Sequence, residues 1–295
     1  MTRLGSGPAL EVLATGPLAT IQDLGRPGHA AWGVGTSGAA DRGSLRLGNR
    51  LVGNREDAAA VEATLGGLTV RARGDLVVAL TGALCPSLLD GPHGARTLAH
   101  NSVLTLGSGD TLTLGRPGAG LRTYLAVRGG VDVAPVLGSR ATDVLAGLGP
   151  DVLTAPTTLP VGAAPQDFPL VDLAPVADPT AGDVTLRVVV GPREDWFVPA
   201  AVDALLTQQW TVTPDSNRVG MRLSGAELGR AVDAELPSEG VVRGAIQVPP
   251  TGAPTLFLAD HPVTGGYPVI AVVVDADVDR AAQARPGQRL RFRRR

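Results

Sequence analysis

Glycine and proline interrupt this chain so often that long regular elements do not fit between them. Its 295 residues include 39 glycines and 24 prolines. The stretches between are short and rich in β-branched and apolar residues: LEVLATG, LTVRARGDLVVALTG, DTLTLG, LRTYLAVRGG, VTLRVVVG, GAIQVPP, PTLFLAD, YPVIAVVV and QRLRFRR. Runs of this length bounded by turn residues predict strands, and this many of them predict a mainly β fold of barrel type. Helical spacing is sparse and predicts a few short helices. One covers residues 41–51, with Leu47 and Leu51 at i, i+4 and Arg42 and Arg46 on another face. A second lies in EDWFVPAAVDALLTQQ, with Phe197, Ala201, Ala204 and Leu205 on one stripe and Pro199 tolerated only in the first turn. A third, short one is placed at VDRAAQ near residue 278.

The stretch from Pro150 to Pro179 has seven prolines and little periodicity, and reads as a connection running over the surface. Its flanks share wording: LEVLATGP at 10–17 with LRVVVGP at 186–192, and GSGDTLTLG at 107–115 with RPGQRLRF at 285–292. The pairs occur in the same order. They read either as a duplication giving two related barrels or as chance recurrence of short β patterns. The expected division is a first barrel with the connection over 1–183 and a second barrel over 184–295.

Composition narrows the function. Net charge is -2, so no global field draws the chain to nucleic acid or a membrane. All 26 basic residues are arginine. The chain therefore cannot form a lysine Schiff base, supply a Walker-type lysine or carry biotin on a lysine of its own. Phosphate or carboxylate groups must be gripped by arginine forks, backbone N–H groups or a partner. The single cysteine, Cys85, sits in an apolar run as core filler, and no disulfide forms within the chain, which fits a reducing cytoplasm. No run of 18 apolar residues escapes Pro, Gly or charge, and the N-terminal residues lack the apolar segment of a signal peptide.

The densest feature is DLGRPGHAAWGVGTSGAADRG at 23–43, with six glycines in 21 residues. Within it GVGTSG matches G-x-G-x-x-G, yet RPGHAAW is no buried strand and repeated βα units are missing, so a dinucleotide fingerprint is rejected. The missing lysine rejects a P-loop. There is no H-E-x-x-H, C-x-x-C pair or G-x-S-x-G. His29, His93, His100 and His261 lack metal-ligand spacing, and His93 and His100 read as surface or packing residues. DADVD at 275–279 begins like a calcium loop but has Arg280 and Pro286 where the glycine and glutamate belong. No metal site is expected. The C-terminal RFRRR reads as a solvated strand end. What remains is a constellation: Arg26, His29, Asp41 and Arg42 in the first glycine-rich loop; Asp260, His261, Thr264 and Tyr267 in ADHPVTGGYP; and Gln247 on a strand bounded by prolines. On composition these loops are either structural turns or the lining of a site for a small amide or carboxylate.

Several long blocks are distinctive in wording: IQDLGRPGHAAWGVGTSGAADRGSLRLGNRLVGN, EATLGG, LAVRGGVDVAPVLGSRAT, DSNRVGMRLSG and LPSEGVVRGAIQVPPTGAPTLFLADHPVTGGYPVIAVV. From about residue 9 to residue 292 the chain resembles the KipA / PxpC family, also called the allophanate hydrolase subunit two or biotin-dependent carboxyltransferase-like family. The resemblance implies a pair of cyclophilin-like β-barrels. It implies work with a KipI / PxpB-like partner and a PxpA-like partner as an ATP-dependent 5-oxoprolinase, converting 5-oxo-L-proline to L-glutamate. Phosphorylation by ATP, bound together with the partner chain, would activate the amide oxygen of the lactam. In that reading Arg26 and Arg42 stabilise developing negative charge, and Asp41 orients an arginine or accepts a proton. Gln247 holds the lactam. His29, Ser37, Gly38, Asp260, Thr264, Gly265 and Tyr267 complete the substrate-binding set. His261 and Pro262 stand where relatives are expected to have more polar residues, so no role is carried over to His261. Two alternatives follow from the same resemblance: a carboxyltransferase subunit moving carboxyl from biotin on another chain to urea or a similar small amide, and a regulatory module that binds a KipI-like protein.

Overall fold

The computed structural model describes residues 7–92, 94–169 and 171–295; His93 lies outside them. The chain is mainly β, as its punctuation predicts, and divides into two compact units. The first comprises residues up to Gly25, Arg42–Thr142 and Leu148–Pro179. The second comprises Arg26–Asp41, Asp143–Gly147 and Thr180–Arg295. A single cut at 183/184 is therefore too simple, because the second unit also takes in two short stretches from the first half. Among the described residues no helix is long and apolar enough to cross a membrane.

In the first unit the strands are β1 (Ala9–Thr15), β2 (Leu18–Gln22), β3 (Ala60–Thr64), β4 (Leu68–Arg73), β5 (Leu76–Gly82), β6 (Ser87–Asp90), β7 (Arg96–Thr97), β8 (Val103–Leu106), β9 (Thr111–Leu114), β10 (Arg122–Val127) and β11 (Thr157–Pro160). They form a six-stranded sheet, β11-β1-β4-β9-β6-β7, and a five-stranded sheet, β2-β3-β10-β5-β8. The core lies between them: Leu10, Val12, Val70 and Leu112 of one sheet meet Ile21, Val61, Val78, Leu80 and Leu125 of the other. β4 shows the cause in its sequence, with Leu68, Val70 and Ala72 inward and Arg71 and Arg73 outward. Cys85 is core filler here, as expected. β10 is buried on both faces because α1 (Arg42–Leu51) packs on its outer side. Gly48 permits the close approach; a Cβ there would lie 3.1 Å from Thr81 Oγ1 and 3.2 Å from Ala126 Cβ.

The proline-rich segment is more than a connection. Its residues Thr157–Pro160 extend the first sheet beside β1, and Leu173 bridges Ser102. Prolines mask this strand in the sequence, and an edge strand tolerates Pro160.

The second unit contains β12 (Val184–Val190), α2 (Pro199–Thr207), β13 (Gln209–Val212), β14 (Gly220–Ser224), β15 (Glu239–Gly240), β16 (Ala245–Gln247), β17 (Thr255–Phe257), β18 (Thr264–Gly265), β19 (Val269–Val273), α3 (Asp275–Ala282) and β20 (Arg289–Arg294). Seven strands close into a barrel, β12-β19-β16-β17-β14-β13-β20, with β12 and β20 parallel. Leu186, Val188, Trp210, Ile246, Leu256, Ile270 and Phe292 belong to its core. β15 and β18 form a separate two-stranded ladder. Pro199 sits in the first turn of α2, where its missing N–H costs no helix bond. DADVD is the first turn of α3, with Asp277 gripped by Arg187 and with Asp275 and Asp279 paired to Arg243.

The paired wordings occupy strands in both units, β1 with β12 and β9 with β20. Their ladders differ, however. β1 and β9 flank β4, whereas β12 and β20 pair directly, and the ring of ladders closes in the second unit.

Candidate functional site

The first glycine-rich loop, residues 26–41, packs entirely within the second unit. Its two ends are pinned by Arg26 N–H donating to the Thr36 carbonyl at 2.8 Å. A 3-10 turn at Ala30–Trp32 ends on Gly33, whose φ of +76° needs no Cβ. The backbone then passes through Ser37 at φ +54° and Gly38 at φ +92°. A serine in this left-handed region is strained and persists only when its surroundings hold it there.

Asp260 supplies that hold. Ser37 Oγ donates to Asp260 Oδ1 at 2.6 Å. Arg218 adds a bidentate fork, Nε to Oδ2 at 2.9 Å and Nη2 to Oδ1 at 3.0 Å. Val144 N–H donates to Oδ2 at 3.2 Å, and Arg218 Nη2 also donates to the Gly38 carbonyl at 2.6 Å. Three distant segments thus converge on one carboxylate that is 2% exposed. A buried pair of charges needs this degree of satisfaction to persist. A second buried pair lies beside it in sequence: Arg26 faces Asp143 at 3.7 Å, and Asp143 accepts from Leu145 and Ala146 N–H.

These contacts give the loop residues a different character from the one expected. Instead of facing developing charge on a substrate, the Arg26 side chain is 0% exposed against Asp143. Asp260 and Ser37 bond to each other, and Asp260 also accepts from Arg218 and Val144. Sequence alone does not distinguish these cases, since a glycine-rich loop with charged residues looks the same whether its charges face inward or outward. Asp41 is buried and accepts from Gln283 Nε2 at 2.7 Å. Arg42 opens α1 and counts with the first unit. His29 stacks on Trp32, with ring centroids 5.3 Å apart, and Trp32 is 74% exposed.

The second loop packs against Gln247. Gln247 ends β16 at a register shift following Ile246, and it is buried. Its Nε2 donates to the Tyr267 carbonyl at 2.9 Å. Among the described residues its Oε1 accepts no hydrogen bond. Gly265 lies flat on this amide; a Cβ there would be 2.5 Å from Gln247 Nε2. Thr264 and Tyr267 beside it are exposed. His261 turns Nδ1 onto the Pro262 carbonyl at 2.8 Å, while its own carbonyl meets Gly35 of the first loop. Residues 259–268 thus join two clusters: one at Asp260, Ser37 and Gly38, and another in which the exposed Thr264 and Tyr267 and the half-buried Gly265 adjoin the buried Gln247. An amide oxygen without a hydrogen bond among the described residues suits the N–H of a small, planar polar molecule. Among the described residues no cluster of three or more His, Cys, Asp or Glu could hold a metal ion.

Arg218 does not stand out in the sequence, although it lies in the distinctive block DSNRVGMRLSG. Its partner is 42 residues away, beyond the reach of any local pattern.

The carboxyltransferase domain model, subdomain A and B, matches residues 32–294. The chain is 39% identical over 291 residues to a protein of Escherichia coli (strain K12) named as a 5-oxoprolinase subunit, covering 96% of this chain and 90% of that protein. It is 34% identical to urea amidolyase of Lachancea kluyveri, covering 96% of this chain but 17% of that protein. Among solved structures, that of TTHA0988 superposes with a TM-score of 0.88 at 34% identity, over 99% of this chain. This chain spans 56% of the TTHA0988 chain.

Proposed function

The chain belongs to the carboxyltransferase-domain family of subdomains A and B, and from that we propose that it serves as one subunit of an ATP-dependent 5-oxoprolinase. The observation that carries this reading is end-to-end similarity: the 39% identity extends over 90% of a relative named as a single 5-oxoprolinase subunit. The reaction opens the lactam of 5-oxo-L-proline to L-glutamate, in a complex with a KipI / PxpB-like and a PxpA-like chain.

In this reading the cluster around Gln247 receives the lactam. Gln247 Oε1 accepts the ring N–H, and Thr264 and Tyr267 border the ring. Gln247 is held in place by the Tyr267 carbonyl and by Gly265. The Arg218–Asp260–Ser37 cluster fixes the loop that carries Thr264 and Tyr267, and in this reading it makes no substrate contact. Asp41, Arg42 and His29 remain candidates for work on the reacting amide in the assembled enzyme. The glycine-rich loop does not fit a phosphate cradle. Gly33 and Val34 N–H groups are spent on the Ala30 and His29 carbonyls, and Arg26 is enclosed. In this reading ATP is bound together with the partner chain.

The similarity to urea amidolyase supports a second reading, a carboxyltransferase subunit that takes carboxyl from biotin on another chain to a small amide. Reconstitution with the two partner chains separates them. ATP hydrolysis that depends on 5-oxoproline, with KM for 5-oxoproline raised on the order of tenfold in Gln247→Ala, is the expected result; a tenfold change corresponds to about 1.4 kcal/mol, the scale of one hydrogen bond. Carboxybiotin consumption with urea, and no response to 5-oxoproline, would overturn it.

A further inference from the structure

Gln247 is enclosed by a ring of contacts that closes through a residue distant from it in sequence. Its partner across the ladder is Val269. The Val269 carbonyl accepts from Arg193 N–H at 3.0 Å, and the neighbouring Ile270 carbonyl accepts from Gly191 N–H at 2.9 Å. Arg193 is therefore seated on the same rung as Gln247. Its guanidinium makes a bidentate fork to Glu239, with Nε to Oε2 at 3.0 Å and Nη2 to Oε1. Glu239 pairs in the β15–β18 ladder with Gly265, the residue that lies on the Gln247 amide. Val241 N–H continues this ladder onto the Val263 carbonyl at 2.9 Å.

Beside the fork, the strap is held by Val241, which is buried with Ala245, Phe257 and Val269. β15 and β18 are two residues each, and a ladder that short is marginal in water. The chain leading into β15, residues 231–238, has Leu236 as its one buried side chain. The hydrogen bond from Arg193 holds the Glu239 carboxyl below its ordinary range, as expected for a fork formed with the ionised acid.

We propose that Arg193 is a positioning residue: through Glu239 it latches β15 onto β18 and so keeps the Gln247 amide turned to meet an N–H of a small amide substrate. This rests on the substrate site proposed above. Arg193 itself touches no substrate.

The test uses the full chain, alone and in complex with its partner chains, as wild type, Arg193→Gln, Arg193→Lys and Glu239→Gln. Amide hydrogen exchange reads the latch directly. Arg193→Gln and Glu239→Gln are expected to raise exchange at residues 239–241 and 263–267 at least tenfold, with the peptides of β12, β17 and β20 unchanged. In the complex, KM for 5-oxoproline is expected to rise about tenfold with kcat within twofold, because ground-state and transition-state binding are lost alike. Arg193→Lys, which keeps the charge but not the fork, should recover part of both effects. Unchanged exchange in Arg193→Gln overturns the latch. Loss of protection across the whole barrel overturns the positioning role in favour of a general structural one. A normal KM with an open latch overturns the link to Gln247. A wild-type complex unresponsive to 5-oxoproline would overturn the 5-oxoprolinase reading instead, while the exchange measurement still decides the latch.

Discussion

Asp260→Asn should destabilise the second unit far more than its single-atom change implies. Asp260 accepts four hydrogen bonds, two from Arg218 and one each from Ser37 and Val144, with both members of the ion pair buried. Asparagine keeps one acceptor oxygen and turns an NH2 toward the remaining donors. It also leaves the Arg218 guanidinium as an uncompensated buried charge. Breaking a buried pair from one side costs about 3–5 kcal/mol. At roughly 3 °C per kcal/mol for a unit of this size, the midpoint should fall by roughly 10–15 °C. The molecule provides its own local probe: its three tryptophans, Trp32, Trp196 and Trp210, all lie in the second unit. Tryptophan emission during thermal or urea unfolding therefore follows this unit alone. Asp275→Asn is the control; that carboxylate is 79% exposed in its pair with Arg243, and its loss should cost under about 1 kcal/mol. Combining Asp260→Leu with Arg218→Met should recover part of the Asp260→Asn loss, because no lone charge stays buried. An Asp260→Asn midpoint within about 3 °C of wild type would refute the role assigned to this carboxylate.

Two further outcomes follow from the packing. Gly66→Ala should cost about 2–5 kcal/mol by calorimetry, since φ is +73° and a Cβ would stand 2.1 Å from the Gly115 carbonyl oxygen; Gly28→Ala, at φ +93° with open space around it, should cost only about 1 kcal/mol. The Arg187 side-chain fork, chiefly, holds Asp277 below the usual carboxylate range. Its folded-state value is thus lower than its unfolded-state value of about 3.9, so its contribution is complete above about pH 4 and is lost as pH falls through the folded-state value. Asp277→Asn should flatten that part of the acid limb of stability, as followed by tryptophan emission.

Strands are legible in the sequence wherever apolar residues alternate or run together between turn signals, as in β1, β4 and β19. β3 escapes such a reading because Glu62 interrupts AVEAT. The structure buries that glutamate by giving it Tyr124 and Arg122 as partners, about 60 residues away and invisible in any local window. Helices α1, α2 and α3 are legible from local spacing, and Pro199 even marks where α2 begins. The candidate site divides along the same line. The glycine loop and the TGGYP loop stand out by composition, and Gln247 by its flanking prolines. Which charges face inward depends on contacts between residues far apart in the chain.

Arginine usage shows this most directly. In a chain without lysine, arginine forks are the expected grip on phosphate or carboxylate ligands. The second unit spends three of them on its own acids: Arg218 on Asp260, Arg187 on Asp277 and Arg193 on Glu239. A lysine cannot make two parallel bonds to one carboxylate, so each of these positions requires the planar group whatever the chemistry of the substrate. The composition bias therefore bears first on how the barrel secures its loops.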